Sequence, residues 1–307
     1  MNSARVDRQA LRSAYRMEEG LEQAADATRL HPQSKSLASK LTEGARKQST
    51  DGLDDFLNSY GLATEEGIAL IVDSSALPEQ VTRDVMASAF QSAGQRRSAL
   101  RVLYLQESVA DTMLTMIKGA FEALVIGDPA NPATDVGPVI DAEAKDKLEA
   151  HIAEMEEAGF PVWWRELPEG CAKGHFVAPT IIEIGSILDL DEEHFGPVLH
   201  VVRYPGDALK KVIDDINSTG YGLTLGLHSR IAERRRYVES HARVGNFYVN
   251  RNQIGAVVGS QPFGSEGLSG TGPKAGGPHY VARFAAERVT TIDTTAAGGN
   301  ASLLAGG

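Results

Sequence analysis

Gly94-Gln95-Arg96-Arg97-Ser98-Ala99-Leu100 stands between a stretch that reads as a helix, Pro78 to Ser92, and one that reads as a strand, Ala99 to Leu105. The strand reading rests on Leu100, Val102 and Leu103, and a second helix, Val109 to Leu124, follows. The same alternation continues outward. Leu148, Ile152 and Met155 form one stripe of an amphipathic helix from Glu143 to Ala158, ahead of Phe160-Pro161-Val162-Trp163-Trp164. Thr180-Ile181-Ile182-Glu183, His200-Val201-Val202-Arg203-Tyr204 and Asn246-Phe247-Tyr248-Val249 are strand candidates, separated by helices from Ala208 to Asn217 and from Ile231 to Ser240. Strands alternating with helices predict an α/β fold with a mostly parallel sheet and flanking helices. Upstream, Leu53, Phe56, Leu57 and Tyr60 recur at helical spacing between Asp51 and Gly61, so a small helical segment precedes the sheet.

Composition sets outer bounds on function. With 307 residues there is room for one large domain and an appendage, and 42% hydrophobic residues can build a core. A net charge of −11 and an isoelectric point near 5.2 argue against nucleic acid as a partner, because phosphate binding needs basic surface. The run Arg234-Arg235-Arg236 is short, falls in an expected helix and reads as a solvated face. No apolar stretch approaches the ~20 residues that span a bilayer and no signal peptide is present, so the expectation is no membrane span and a cytoplasmic location.

Cysteine and histidine usage is equally restrictive. The single cysteine, Cys171, excludes an intrachain disulfide and any thiolate metal cluster, and its loop, Pro168 to Gly174, supplies no base to activate it. The eight histidines lack ligand spacing, which predicts ordinary surface or packing roles and no metal site. Glycines 255, 259, 264, 267, 270 and 272 lack the strand-before, helix-after setting of a phosphate loop.

The heptapeptide resembles the nucleophile loop of the aldehyde dehydrogenase superfamily. In that family the residue before the Ser-Ala pair is a cysteine whose thiolate attacks the aldehyde carbon, and here that catalytic position is Arg97. A guanidinium stays protonated and has no lone pair to offer, so it cannot form the covalent adduct that precedes hydride transfer. Glu193-His194-Phe195-Gly196-Pro197 is similar to the family's Glu-x-Phe-Gly-Pro segment. The resemblance implies NAD as cofactor, with Glu193 on the nicotinamide ribose hydroxyls and Phe195 beside the nicotinamide; a carboxylate suits paired hydroxyl donors. Asn217 to Gly222 and Gly245 to Asn250 resemble family segments that carry fold rather than chemistry.

Ile254-Gly255-Ala256-Val257-Val258-Gly259-Ser260-Gln261-Pro262-Phe263-Gly264 and Leu268 to Pro278 narrow the resemblance. They look like the L-glutamate γ-semialdehyde (pyrroline-carboxylate) dehydrogenase module of the bifunctional flavoenzymes of the proline utilisation A family. That resemblance implies a small aldehyde substrate bearing an α-carboxylate, held by backbone N–H groups of Gly255 and Ala256 with help from Ser98, and walled by Phe263. Small residues let a carboxylate approach main-chain donors closely. The closing Thr294 to Leu304 also matches that module, so the resemblance runs from about Ile71 to Leu304.

Leu11 to Met17 and Gly52 to Leu70 resemble the N-terminal helical arm of the same family, without the FAD-binding barrel that follows it there, so no FAD site is expected. Three divisions follow: a helical arm at 1–70, an aldehyde dehydrogenase catalytic-domain-like body at 71–284, and a C-terminal oligomerisation-flap-like segment and tail at 285–307. The family's general-base position falls on Ala63, with Glu65 the nearest carboxylate, and no complete cofactor domain stands before the loop. The first expectation is a truncated, catalytically defective relative of the NAD-dependent semialdehyde dehydrogenase. Two alternatives stand beside it. One is an active subunit completed by a partner chain, and the other is a non-enzymatic oligomerisation partner of a full-length relative, binding through 285–297.

Overall fold

The computed structural model describes residues 69–257, 259–270 and 272–292, all within the compact unit 64–307. The helix expected around Leu53 to Tyr60, the rest of the arm to residue 68, the general-base positions Ala63 and Glu65, and the tail from 293 lie outside the described residues.

The body is a seven-stranded sheet. In chain order the strands are β1 (Ala69–Val72), β2 (Val102–Gln106), β3 (Val162–Trp164), β4 (Thr180–Ile184), β5 (Val198–Tyr204), β7 (Thr224–His228) and β8 (Asn246–Val249), arranged β3-β4-β5-β2-β1-β7-β8. A separate two-stranded piece pairs β6 (Tyr221–Gly222) with β9 (Glu266–Gly267). Every pairing in the large sheet is parallel except the edge pair β3 with β4. Helices α1 (Pro78–Phe90), α2 (Glu107–Glu122), α3 (Ala142–Glu157), α4 (Leu209–Ser218) and α5 (Ala232–His241) cover it.

Alternation along the strands assigns the helices to faces. Leu70 and Val72 in β1 and Leu103 and Leu105 in β2 point into one cluster, with Val81, Val85 and Phe90 of α1 and Met113, Ile117 and Phe121 of α2. Ala69 and Ile71, and Val102 and Tyr104, point the other way, onto Leu148 and Met155 of α3, Ile213 and Ile216 of α4 and Val238 of α5. A strand covered on both faces has no polar side to show, which is why β1 and β2 are buried throughout.

Several boundaries move for identifiable reasons. The first expected helix ends at Phe90 because Ser92, Ala93 and Gly94 all have positive φ. The following strand begins at Val102 rather than Ala99, since Ala99 and Leu100 close a turn by donating to Arg96 O (2.9 Å) and Ser88 O (2.8 Å). Strand β1 includes Ala69 and Leu70, which the sequence groups with the arm. Strand β7, Thr-Leu-Gly-Leu-His, escapes a propensity reading because of Gly226. There a Cβ would collide with Leu70 Cδ1 and lie 2.7 Å from Gln253 Nε2, so glycine is required by close packing between strands. Arg234 is not simply solvated: its Nη1 donates to Gln106 Oε1 at 2.8 Å and stands 3.7 Å from buried Asp73.

Candidate functional site

The Gly94–Leu100 loop and the Glu193–Pro197 segment meet at the amino ends of β2 and β5. Their contact is intimate, because a Cβ at Gly94 would collide with the carbonyl of Gly196 and lie 2.9 Å from Ala89 O. With φ at +67°, Gly94 is also in the left-handed region that only glycine adopts without strain.

Arg101, the residue between this loop and β2, joins the two segments. Its Nε donates to Glu193 Oε1 at 2.9 Å, Nη1 to Gly94 O at 2.5 Å and Gly196 O at 3.5 Å, and Nη2 to Arg96 O at 3.2 Å. The guanidinium carbon lies 4.6 Å from the ring centroid of Phe195, a cation–π contact. Both charged side chains are almost fully enclosed, Arg101 at 4% and Glu193 at 5% exposure. Burial lowers the Arg101 pKa, and Glu193 opposes that shift.

Behind Arg101 sits a cluster of imidazoles that sequence spacing did not reveal. His200 of β5 places Nδ1 3.2 Å from Arg101 O, and its Nε2 is 2.8 Å from Nε2 of His151 on α3. The carbonyl can only accept, so neutral His200 donates from Nδ1 and accepts at Nε2 from His151. His194 stacks on His151 with centroids 3.4 Å apart. Burial is the leading cause that lowers His151 to about 4, His194 to about 3 and His200 well below its ordinary value. Among the described residues no group of three or more His, Cys, Asp or Glu side chains is placed to hold a metal ion.

The segments that carry Ser98 and the Gly255-Ala256 pair both reach Ser88 of helix α1. Leu100 N bonds Ser88 O, while Gln253 N bonds Ser88 Oγ at 3.1 Å, so Ser98 and the Gly255-Ala256 pair belong to segments anchored on the same serine. Gly255 is exposed with φ at +76°, and Ala256 is half-buried. Phe263 is fixed by a reciprocal pair of backbone bonds with Ala275, 3.0 and 2.7 Å. The segment is held further by Lys274, which donates to Gly245 O at 2.6 Å and to Gly264 O. Arg97 itself is exposed at the tip of the loop. Cys171 is buried, and burial raises its pKa, the opposite of what a nucleophile needs.

The opposite end of the sheet carries a polar cluster. At the carboxyl ends of β1 and β7, where ligands usually bind in open α/β sheets, Asp73 accepts from Ser75 N (2.7 Å), Ser75 Oγ (2.5 Å) and the Ser229 hydroxyl. A groove of about 320 Å³ runs beside Arg101 and Glu193, bounded by Leu188, Leu190, Thr219 and Tyr221. A larger cavity of about 710 Å³ lies among Pro262, Glu266, Lys274, His279 and Arg283 and shares no lining residue with that groove. Of the residues expected at the site, Glu193 lines the smaller groove and none lines the larger cavity.

Residues 67–290 match the model of the aldehyde dehydrogenase family. The chain belongs to that family. Its matched segment is homologous to the aldehyde dehydrogenase module of PutA: the bifunctional protein PutA of Klebsiella aerogenes is 58% identical over 225 residues, 72% of this chain and 17% of that protein. The 1-pyrroline-5-carboxylate dehydrogenase of Geobacillus kaustophilus is 36% identical over 220 residues, 69% of this chain and 41% of that one. A crystal structure of a Bradyrhizobium japonicum proline utilization A variant superposes with a TM-score of 0.72 at 57% identity, covering 76% of this chain and 24% of the other. The chain thus spans under half the length of each of these relatives. The mostly parallel α/β sheet with flanking helices is the family architecture, as expected. Among the described residues no helix is long and apolar enough to cross a membrane.

For the family's cofactor, the described residues offer a poor fit at the glutamate end. The Glu193 carboxylate is already bound to a buried cation, and its side chain has little open surface for a pair of ribose hydroxyls.

Proposed function

We propose that this chain is a catalytically defective relative of the NAD-dependent L-glutamate γ-semialdehyde dehydrogenases of proline breakdown. The observation that carries the reading is Arg97 at the position of the family's nucleophilic cysteine, exposed on a loop whose Gly94 and Arg96 carbonyls are held by Arg101. The parent reaction needs a thiolate to attack the aldehyde carbon before hydride leaves for NAD. Arginine has no electron pair for that bond, and loss of a covalent nucleophile typically lowers turnover by ~10⁴-fold or more. The identity of the relatives supports the substrate class, an aldehyde with an α-carboxylate, for which Ser98, Gly255, Ala256 and Phe263 are the proposed contacts.

The test is direct. Purified chain mixed with NAD and L-glutamate γ-semialdehyde is expected to form no NADH above the protein-free rate. Sustained NADH formation overturns the reading.

A second reading draws on a different observation. Tyr280, Val281, Phe284, Val289 and Ile292 are all exposed in the segment leading to the tail, with Phe284 at 77%. Such a run of apolar side chains favours a protein-contact role, in a homo-oligomer or with a longer relative.

A further inference from the structure

We infer that Glu193 in this chain is the counter-ion of a buried arginine clamp that holds the Gly94–Leu100 loop, and not a ligand for a cofactor ribose. The inference rests on the proposed function for the ancestral role of Glu193. Its own support is geometric. Arg101 reaches three carbonyl oxygens from two segments, Gly94 and Arg96 on the loop and Gly196 beyond it, and one carboxylate. The planar fork of a guanidinium is suited to fixing several acceptors at once, which a lysine ammonium does less well. Phe195 covers the face of the fork, so solvent has little access to the cation.

Glu193 is the anion in that arrangement. If its carboxylate turned away to bind a diol, Arg101 would remain a buried cation facing neutral carbonyls, and removing one partner of a buried pair is strongly destabilising. The surroundings oppose the turn as well. His200 fixes the Arg101 backbone from behind, with both its main-chain N–H (2.9 Å) and Nδ1 (3.2 Å) on Arg101 O. His194, next to Glu193, is packed flat on His151. Arg101 is therefore a positioning residue, and Glu193 completes it.

Trypsin reads the clamp at its own site, because Arg96 and Arg97 are exposed cleavage points in a tight loop that must open before a protease can engage it. The experiment compares the full chain with Glu193→Gln and Arg101→Lys under native conditions, following cleavage after Arg96 and Arg97 by mass spectrometry, with cleavage after Arg283 as the control. Glu193→Gln is expected to speed loop cleavage by about tenfold or more, while the control site is unchanged. In parallel, millimolar NAD is expected to leave the Tm of the wild-type chain unmoved. Unchanged loop cleavage in Glu193→Gln overturns the inference, as does an NAD-induced rise in Tm that Glu193→Gln abolishes. Should Glu193→Gln fail to fold, Arg101→Lys decides by the same cleavage ratio. NADH formation from the semialdehyde would defeat the proposed function without touching the cleavage result, so the two failures are separable.

Discussion

His151 and His200 share a 2.8 Å hydrogen bond between their Nε2 atoms, which requires His200 to be neutral with its proton on Nδ1, the tautomer that Arg101 O dictates, and His151 to donate from Nε2. Protonating the accepting nitrogen of His200 would leave two N–H groups facing each other, close to the Arg101 guanidinium. Burial already holds His151 at about 4 and His194 at about 3 against an ordinary 6.5. Below pH 6.5 the unfolded chain takes up protons that the folded chain refuses, so the stabilisation is fully present above that value and is lost as pH falls toward 4. From His151 alone the loss between pH 7 and pH 5 is about 2 kcal/mol. Urea denaturation midpoints at the two pH values check this. His151→Gln is expected to flatten the dependence, and equal midpoints for wild type at pH 7 and pH 5 would refute it.

Gly94 and Gly159 both have positive φ, yet only Gly94 faces a backbone: a Cβ at Gly159 meets nothing within 4 Å. Gly159→Ala is therefore expected to cost only the left-handed strain, about 1 kcal/mol. Gly94→Ala must also push the loop away from Gly196, which brings the expected cost to about 3 kcal/mol or more. Chemical denaturation of both variants gives the comparison. Equal destabilisation would mean that the two segments do not touch as described.

Arg97→Cys restores the residue type of the family nucleophile on an exposed loop, but it is expected not to restore NADH formation. A catalytic group acts as part of a unit, and Glu193 remains bound to Arg101. The new thiol is nevertheless expected to be countable. Cys171 is buried, so wild type should react slowly with a disulfide reagent, whereas the variant should show one fast thiol. Turnover in Arg97→Cys would show that NAD and substrate are both positioned here. Absence of a fast thiol would show that position 97 is not accessible.

How much of this was legible beforehand depends on where the information lay. Asn246 to Val249 is a strand in both readings, and the helices around Leu148 and Ile213 fall within a residue or two of expectation, because apolar periodicity is a local property. The loop at Arg97 and the Glu193 segment were visible as short motifs, and the fold brings them into contact. For Arg101 the signal in the sequence is a lone charge between Leu100 and Val102 at the head of a buried strand. The imidazole cluster left none: His151, His194 and His200 come from a helix, a loop and a strand, and their meeting is purely tertiary. Strand β7 is hidden from a propensity reading by Gly226, whose reason is Leu70, more than a hundred residues away in sequence.

The segment from Tyr280 to Ile292 carries the last prediction. Tyr280 and Phe284 form an edge-to-face pair, with centroids 5.4 Å apart at 69°, and Val281, Val289 and Ile292 are more than half exposed. Because Phe284 packs on so little of its own chain, Phe284→Ser should leave the Tm within about 1 °C of wild type, in line with substitutions outside the core. If the segment is a contact surface, the wild-type chain sediments as a species larger than 32.8 kDa, and Phe284→Ser shifts that distribution toward the monomer. A change in Tm without a change in mass would place Phe284 in internal packing. A wild-type chain that stays monomeric at every concentration tested, and does not bind a full-length relative, would remove the contact reading altogether.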